Sequence, residues 1–279
     1  MILVVNADDA GVDRARNDGI LEAARRGVVR SASLLVGFPA AADFAERSRR
    51  VEGLAVGLHA NFSEGEPLVK GHTTLAGPDG RFLGKEQLLR RARAGAIDPA
   101  EARRELEAQL ERFASFGLEP THVDGHNHAH LHPGIAEAML EVLPPGTWVR
   151  LPGRGTSCPA PLHRIPEFAA RAAALGFLRF RRADCVTGLA ALEGYGVADL
   201  LALLAQARGG IVELVTHPGA CDAASVPFSA LSARERERAT LCDPALFSAL
   251  AARGIRLASF CDVSGASQQG CAPDRAAGE

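Results

Sequence analysis

Short, wholly apolar runs alternate along this chain with longer segments in which apolar residues recur every three or four positions. Ile2 to Val5 is the first run, and it gives way to Asn6-Ala7-Asp8-Asp9-Ala10-Gly11, which predicts a strand buried on both faces and then a loop. Asp13 to Arg26 reads as a helix stopped by Gly27, Ser31 to Val36 as a second strand and Ala40 to Arg50 as a second helix. Leu54 to Leu58 is a third strand that delivers His59 at its end. From residue 60 to 97 the periodicity fades among Gly, Pro and charged residues, too long a stretch for an ordinary connection, which predicts a functional insertion or lid.

The pattern returns at Asp98-Pro99, an N-cap with Pro at the first helical position, and Ala102, Leu106, Leu110 and Phe113 form one face until Gly117. Thr121 to Asp124 is the next strand, Ile135 to Val142 a helix, Trp148 to Leu151 a strand, Ile165 to Leu175 a helix and Phe177 to Phe180 a strand. A helix at Val197 to Ala207, a strand at Ile211 to Val215, helices at Ala233 to Leu241 and Pro244 to Ala252, and a strand at Ile255 to Phe260 complete the series. Repeated βα units with apolar, non-alternating strands predict an α/β fold whose parallel sheet is covered by helices, either closed as a barrel or open and doubly wound. Residues 1 to 263 form one expected domain, and the small, polar residues from Ser264 to the end are expected to be disordered.

Composition narrows the function classes. A formal net charge of −2 gives no global basic field for nucleic acid or anionic lipid. The first residues lack both a basic start and a long apolar core, so neither a signal peptide nor a membrane anchor is expected, and the expected location is cytoplasmic. Six cysteines without C-x-x-C spacing read as reduced thiols. No phosphate-cradling glycine motif opens any helix. A homodimer stays open.

In α/β barrels the chemistry sits at the C-terminal ends of strands. Strand one delivers Asp8 and Asp9, strand three His59, strand four Asp124 and His126, His128, His130 and His132, strand five Arg150, and strand seven His217. Five of the nine histidines fall between His122 and His132, a concentration that favours metal binding by one or two of them over a solvated polar loop. A carboxylate with two imidazoles is a common set for a divalent ion that leaves positions open for water and substrate. A second carboxylate beside it can take the water proton, so the Asp8-Asp9 dipeptide can fill both roles. His217 could protonate a departing amine, and Arg150 could brace Asp8 or hold a substrate hydroxyl.

Together these motifs resemble the YdjC-like family of carbohydrate deacetylases. The matching segments are Asn6-Ala7-Asp8-Asp9-x-Gly11, Asn17-x-Gly19-Ile20, Gly57-Leu58-His59, Glu64-Gly65-x-Pro67-Leu68, Thr121-His122-x-Asp124-x-His126-x-His128, His217-Pro218-Gly219 and Arg234-x-x-Glu237. The resemblance implies a distorted (β/α) barrel related to polysaccharide deacetylases and hydrolysis of an acetamide on an N-acetylated sugar or glycoconjugate. It also implies one divalent metal on Asp9, His59 and His126, with Asp8 as catalytic base and His217 in the late histidine motif. Magnesium is the ion the family suggests; the imidazole ligands suit zinc, nickel or cobalt better. Asp124, His128, Arg150 and Phe62 are expected to support the ligands or touch substrate. Ala10, Gly125 and Ala220 depart from the family's usual residues, and a single Trp and a single Tyr argue against a long oligosaccharide groove, leaving Phe62, Trp148 and Tyr195 as the aromatic faces. Rival readings are another metal hydrolase, of amidohydrolase or phosphoesterase type, and a sugar- or metal-binding barrel without catalysis. Only Lys70 and Lys85 exist for a carbamylated ligand, and a pure binder has no use for a base beside its metal carboxylate.

Overall fold

The computed structural model describes residues 1–151, 176–188, 196–220 and 231–264. Its elements are β1 (Ile2–Ala10), α1 (Arg14–Arg26), β2 (Ser31–Leu34), α2 (Ala41–Ser48), β3 (Ala55–Ala60), α3 (Lys85–Arg93), α4 (Pro99–Ser115), β4 (Val123–Gly125) and α5 (Ile135–Val142). Then come β5 (Cys185–Gly188), α6 (Val197–Gln206), β6 (Ile211–Thr216), α7 (Leu231–Leu241), α8 (Pro244–Ala252), β7 (Arg256–Leu257) and α9 (Phe260–Ser264). The expected helix at 165–175, Tyr195, and the tail after Ser264 lie outside the described residues.

The fold is an α/β distorted barrel. Among the described residues every pairing between named strands is parallel, in the order β4-β3-β2-β1-β6-β5 with β7 on β1. Two isolated parallel bridges, Val123 to Val149 and Trp148 to Arg181, carry the sheet past β4. Arg181 therefore touches one edge while β5, four residues later, pairs with β6 at the other, and the sheet curls back on itself. The distortion shows on β1: its first residues, Ile2 and Leu3, pair with β7, and its far end, from Asn6 to Ala10, pairs with β2.

Alternation along β1 separates two environments. Leu3, Val5 and Ala7 join the main core beneath the helices, with Ile20, Leu21 and Ala23 of α1. The other face carries Val4, packed with Trp148 and Phe260, and then Asn6 and Asp8, so that interior is apolar at one end and polar at the other.

Asp98 caps its helix as expected, and Asp13 and Asp243 act in the same way, each accepting a backbone N–H from the first turn. Four expectations are corrected. Trp148 to Leu151 makes only the single bridges. Phe177 to Phe180 is a 3₁₀ turn over Phe177–Arg179 rather than a strand, and three-residue spacing lets the two phenylalanines meet edge to face at 5.6 Å. The final strand stops at Leu257 because Ser259 and Asp262 exchange side-chain and backbone hydrogen bonds as a capping box that starts α9. The reduced-thiol expectation fails for Cys185 and Cys261, which are each disulfide-bonded, whereas Cys242 is free. No helix of the described residues is long and apolar enough to cross a membrane.

The stretch from 60 to 97 is structured. It contains α3 and an Ala76–Phe82 bridge, and a stripe on α4 spaced by four residues, Glu101, Glu105 and Gln109, holds it. Glu101 accepts hydrogen bonds from Thr73 and Thr74, through both backbone and hydroxyl, and from the Leu75 N–H. Glu105 accepts from the Leu68 and Val69 N–H groups, and Gln109 pairs with both backbone groups of Asn61.

Candidate active site

The strand ends converge. Asp9 Oδ1 lies 3.0 Å from His126 Nδ1 and 3.5 Å from His59 Nε2, and the two ring nitrogens are 3.3 Å apart. All three residues are buried. Asp9 Oδ1 is itself a buried atom that accepts no well-formed hydrogen bond. Ligand atoms around a cation at about 2.0–2.2 Å stand about 3.0–3.5 Å apart. The triangle and the orphaned oxygen therefore fit one divalent ion.

Each corner is held from behind. His59 Nδ1 meets Asp124 Oδ1 at 2.6 Å, which turns Nε2 toward Asp9 and fixes the ring. Asp124 in turn accepts from Ser33 and pairs with Arg150. Asp9 Oδ2 is bound by Arg234 of α7 at 2.5 Å, leaving Oδ1 for the triangle. His126 opens a 3₁₀ segment in which Asn127 and His128 both adopt φ 55°. Among the described residues, the non-glycine positions with positive φ are Asp9, Asn127 and His128, so backbone strain gathers at this site.

Asp8 faces the same space with Oδ2 3.9 Å from His59 Nε2. Arg150 grips it through both oxygens at 2.7 Å, and Asn6 donates to Oδ1. Arg150 also donates from Nε to Glu213 at 2.6 Å. His217 follows Thr216, the partner of Ala7 in the β1–β6 register, so it leaves the sheet at the level of Asp8. Its backbone N–H donates to Glu237.

Charge accumulates accordingly. Burial would raise the Asp9 carboxyl, but Arg234 and then His126 outweigh it and hold the group well below the usual range. Asp8 is lowered against the same penalty by Arg150 and His59, and Asp124 by Arg150 and His59. These carboxylates overcome the burial of His59 and raise it to about 10, an environment that attracts a cation. Burial, with Arg150 and His130 adding to it, pushes the half-buried His128 down to about 3, so that imidazole is neutral.

The structure thus brings Asp8, Asp9, His59, Asp124, His126 and Arg150 together. His130 is turned away and bonds the Arg150 carbonyl. Phe62, expected as a sugar-stacking face, is instead wholly buried in the main core and offers none, and Trp148 is likewise buried beneath the site. The residues given no role from the sequence are Arg234, Glu237, Ser33 and Glu213. Arg234 and Glu237 stood within a motif of the resemblance, and their three-residue spacing places both on one face of α7.

Fold and cluster define a curled parallel barrel with a candidate cation site and a braced carboxylate beside it. A crystal structure from Enterococcus faecalis, described as a cellobiose-phosphate cleavage protein, superposes with TM-score 0.76 over 94% of this chain and 98% of that one, at 23% identity. The carbohydrate deacetylase of Homo sapiens is 37% identical over 249 residues, covering 78% of this chain and 75% of that protein. The chitooligosaccharide deacetylase of Serratia marcescens is 42% identical over 135 residues, 48% of this chain and 52% of that protein. Residues 2–252 match the family described as YdjC-like protein, and the chain belongs to that family.

Proposed function

We propose that this protein is a metal-dependent carbohydrate N-deacetylase that hydrolyses the acetamide of an N-acetylated amino sugar or glycoconjugate. The carrying observation is the buried triangle of Asp9 Oδ1, His59 Nε2 and His126 Nδ1 with the Asp8 carboxylate alongside. The named activities of the human and Serratia relatives support the same chemistry.

A divalent ion held by Asp9, His59 and His126 would supply Lewis acidity, making water acidic and polarising the acetamide carbonyl. The chain's own residues do the rest. Asp8 Oδ1 is occupied by Asn6 and Arg150, while Oδ2 accepts only from Arg150 and keeps a lone pair toward the site for a water proton. Arg150 fixes the carboxylate plane and keeps it ionised, at some cost in basicity. Asp124 holds the His59 ring so that Nε2, not Nδ1, faces the site. His217, whose backbone N–H donates to Glu237, is the proton donor to the departing amine in this proposal. Asp8→Asn is expected to bind the cation yet lose about 10²–10⁴ in acetate release. Near-parental release by a cation-loaded Asp8→Asn protein would refute the assignment of the base.

A further inference from the structure

Asp9 presents a problem that its own strand does not solve. Its φ of 65° lies in the left-handed region, so regular strand geometry does not dictate where its carboxylate points. Its neighbour Asp8 is fixed by a bidentate arginine; at Asp9, Oδ1 faces the imidazoles of His59 and His126 and only Arg234 binds Oδ2 among the described residues. Arg234 NH2 meets Oδ2 at 2.5 Å, and both side chains are buried, each 3% exposed. Arg234 reaches this point from α7, 225 residues along the chain. The arginine is itself wedged: its carbonyl accepts from the Gly219 N–H, and a Cβ on Gly219 would lie 3.4 Å from its Cβ and Cδ. Gly219 in turn sits so close to Gly19 of α1 that a Cβ on Gly19 would be 2.4 Å from its Cα. Two glycines therefore let the His217 turn pack between α1 and α7 and seat the guanidinium against Asp9.

We propose that Arg234 is a positioning residue for the metal carboxylate: it occupies Oδ2 so that Asp9 meets the cation through Oδ1 alone, at the corner set by His59 and His126. The inference rests on the assignment of Asp9 as a metal ligand. A carboxylate freed from Arg234 could rotate, or offer both oxygens to the ion, and the buried triangle would lose its third corner. The guanidinium also balances the charge of the Asp9 carboxylate.

The test needs no substrate. Cation binding to the purified full chain is measured by isothermal titration with Co2+ and Zn2+, with the visible Co2+ spectrum as a coordination signature, for the parent, Arg234→Met and Arg234→Gln. A lost partner behind a metal ligand typically weakens binding about 10–100-fold. That loss, with a changed cobalt spectrum, is expected for both variants. Arg238→Met is the control, because Arg238 on the same helix pairs with Glu22 on α1 away from the triangle; it is expected to keep parental affinity. Circular dichroism establishes folding, and if the methionine variant does not fold the glutamine variant decides. A folded variant with parental affinity and spectrum overturns the role of Arg234 while leaving the cation site intact. A parent that binds no cation overturns both.

Discussion

Glu101 gives the most quantitative test of how the stretch from 60 to 97 is held to α4. One carboxylate, 4% exposed, receives five donors from three consecutive residues, Thr73 to Leu75. Burial would raise its pKa, but the hydrogen bonds from Thr73 and Thr74 win and bring it from 4.5 down to about 2. A group depressed on folding contributes stability above its unfolded pKa and loses it as the pH falls through its folded pKa. At about 1.4 kcal/mol per tenfold change the contribution is about 3 kcal/mol at neutral pH, falling to about 2 kcal/mol at about pH 3.5. A charge-assisted hydrogen bond is worth about 1.5–3 kcal/mol net, and only the buried Leu75 and half-buried Thr74 donors would be left short of water. Glu101→Gln should thus unfold in urea with a free energy about 3 kcal/mol below the parent at pH 7, the gap narrowing on acidification. A gap that is absent at pH 7, or that widens as the pH falls, would refute the linkage.

Further outcomes follow from the same contacts. Asp124→Asn replaces the charged acceptor behind His59 with a neutral amide and should weaken cation binding about 10–100-fold while circular dichroism stays parental; unchanged affinity would show that the ring needs no charged support. Gly57→Ala places a Cβ about 2.4 Å from the His122 ring, and with β3 locked in register it should cost about 1–3 kcal/mol in denaturant unfolding. Chelation of the purified protein should abolish acetate release from N-acetylated sugars, with recovery on adding back a divalent ion, as measured by coupled acetate detection.

The sequence shows much of this fold and less of its supports. Strands β2, β3 and β6 and helices α1, α4, α5, α6 and α8 follow apolar runs and caps closely, because burial of each is uniform or one-sided. β1 extends through Ala10, well past its apolar run, because its later residues are polar yet paired with β2 and β6 and buried. β5 escapes notice because Cys185-Val-Thr-Gly offers one bulky aliphatic residue, and its strand state comes from pairing with β6 rather than from pattern. The triangle residues stand out as strand-end polar groups. Their braces do not, since Ser33, Glu213 and Arg234 matter only through contacts that the barrel creates across long stretches of chain. Phe62 illustrates the converse: an aromatic beside a histidine ligand is a fair candidate for sugar stacking until packing claims both faces.

The central claim is that one cation sits among Asp9, His59 and His126. Anomalous X-ray diffraction from crystals soaked in Co2+ or Zn2+ tests it most directly. The account predicts a single strong peak about 2.0–2.2 Å from Asp9 Oδ1, His59 Nε2 and His126 Nδ1. An ion held elsewhere, for instance between Asp8 and Asp124, or no ordered ion at saturating metal, would contradict it.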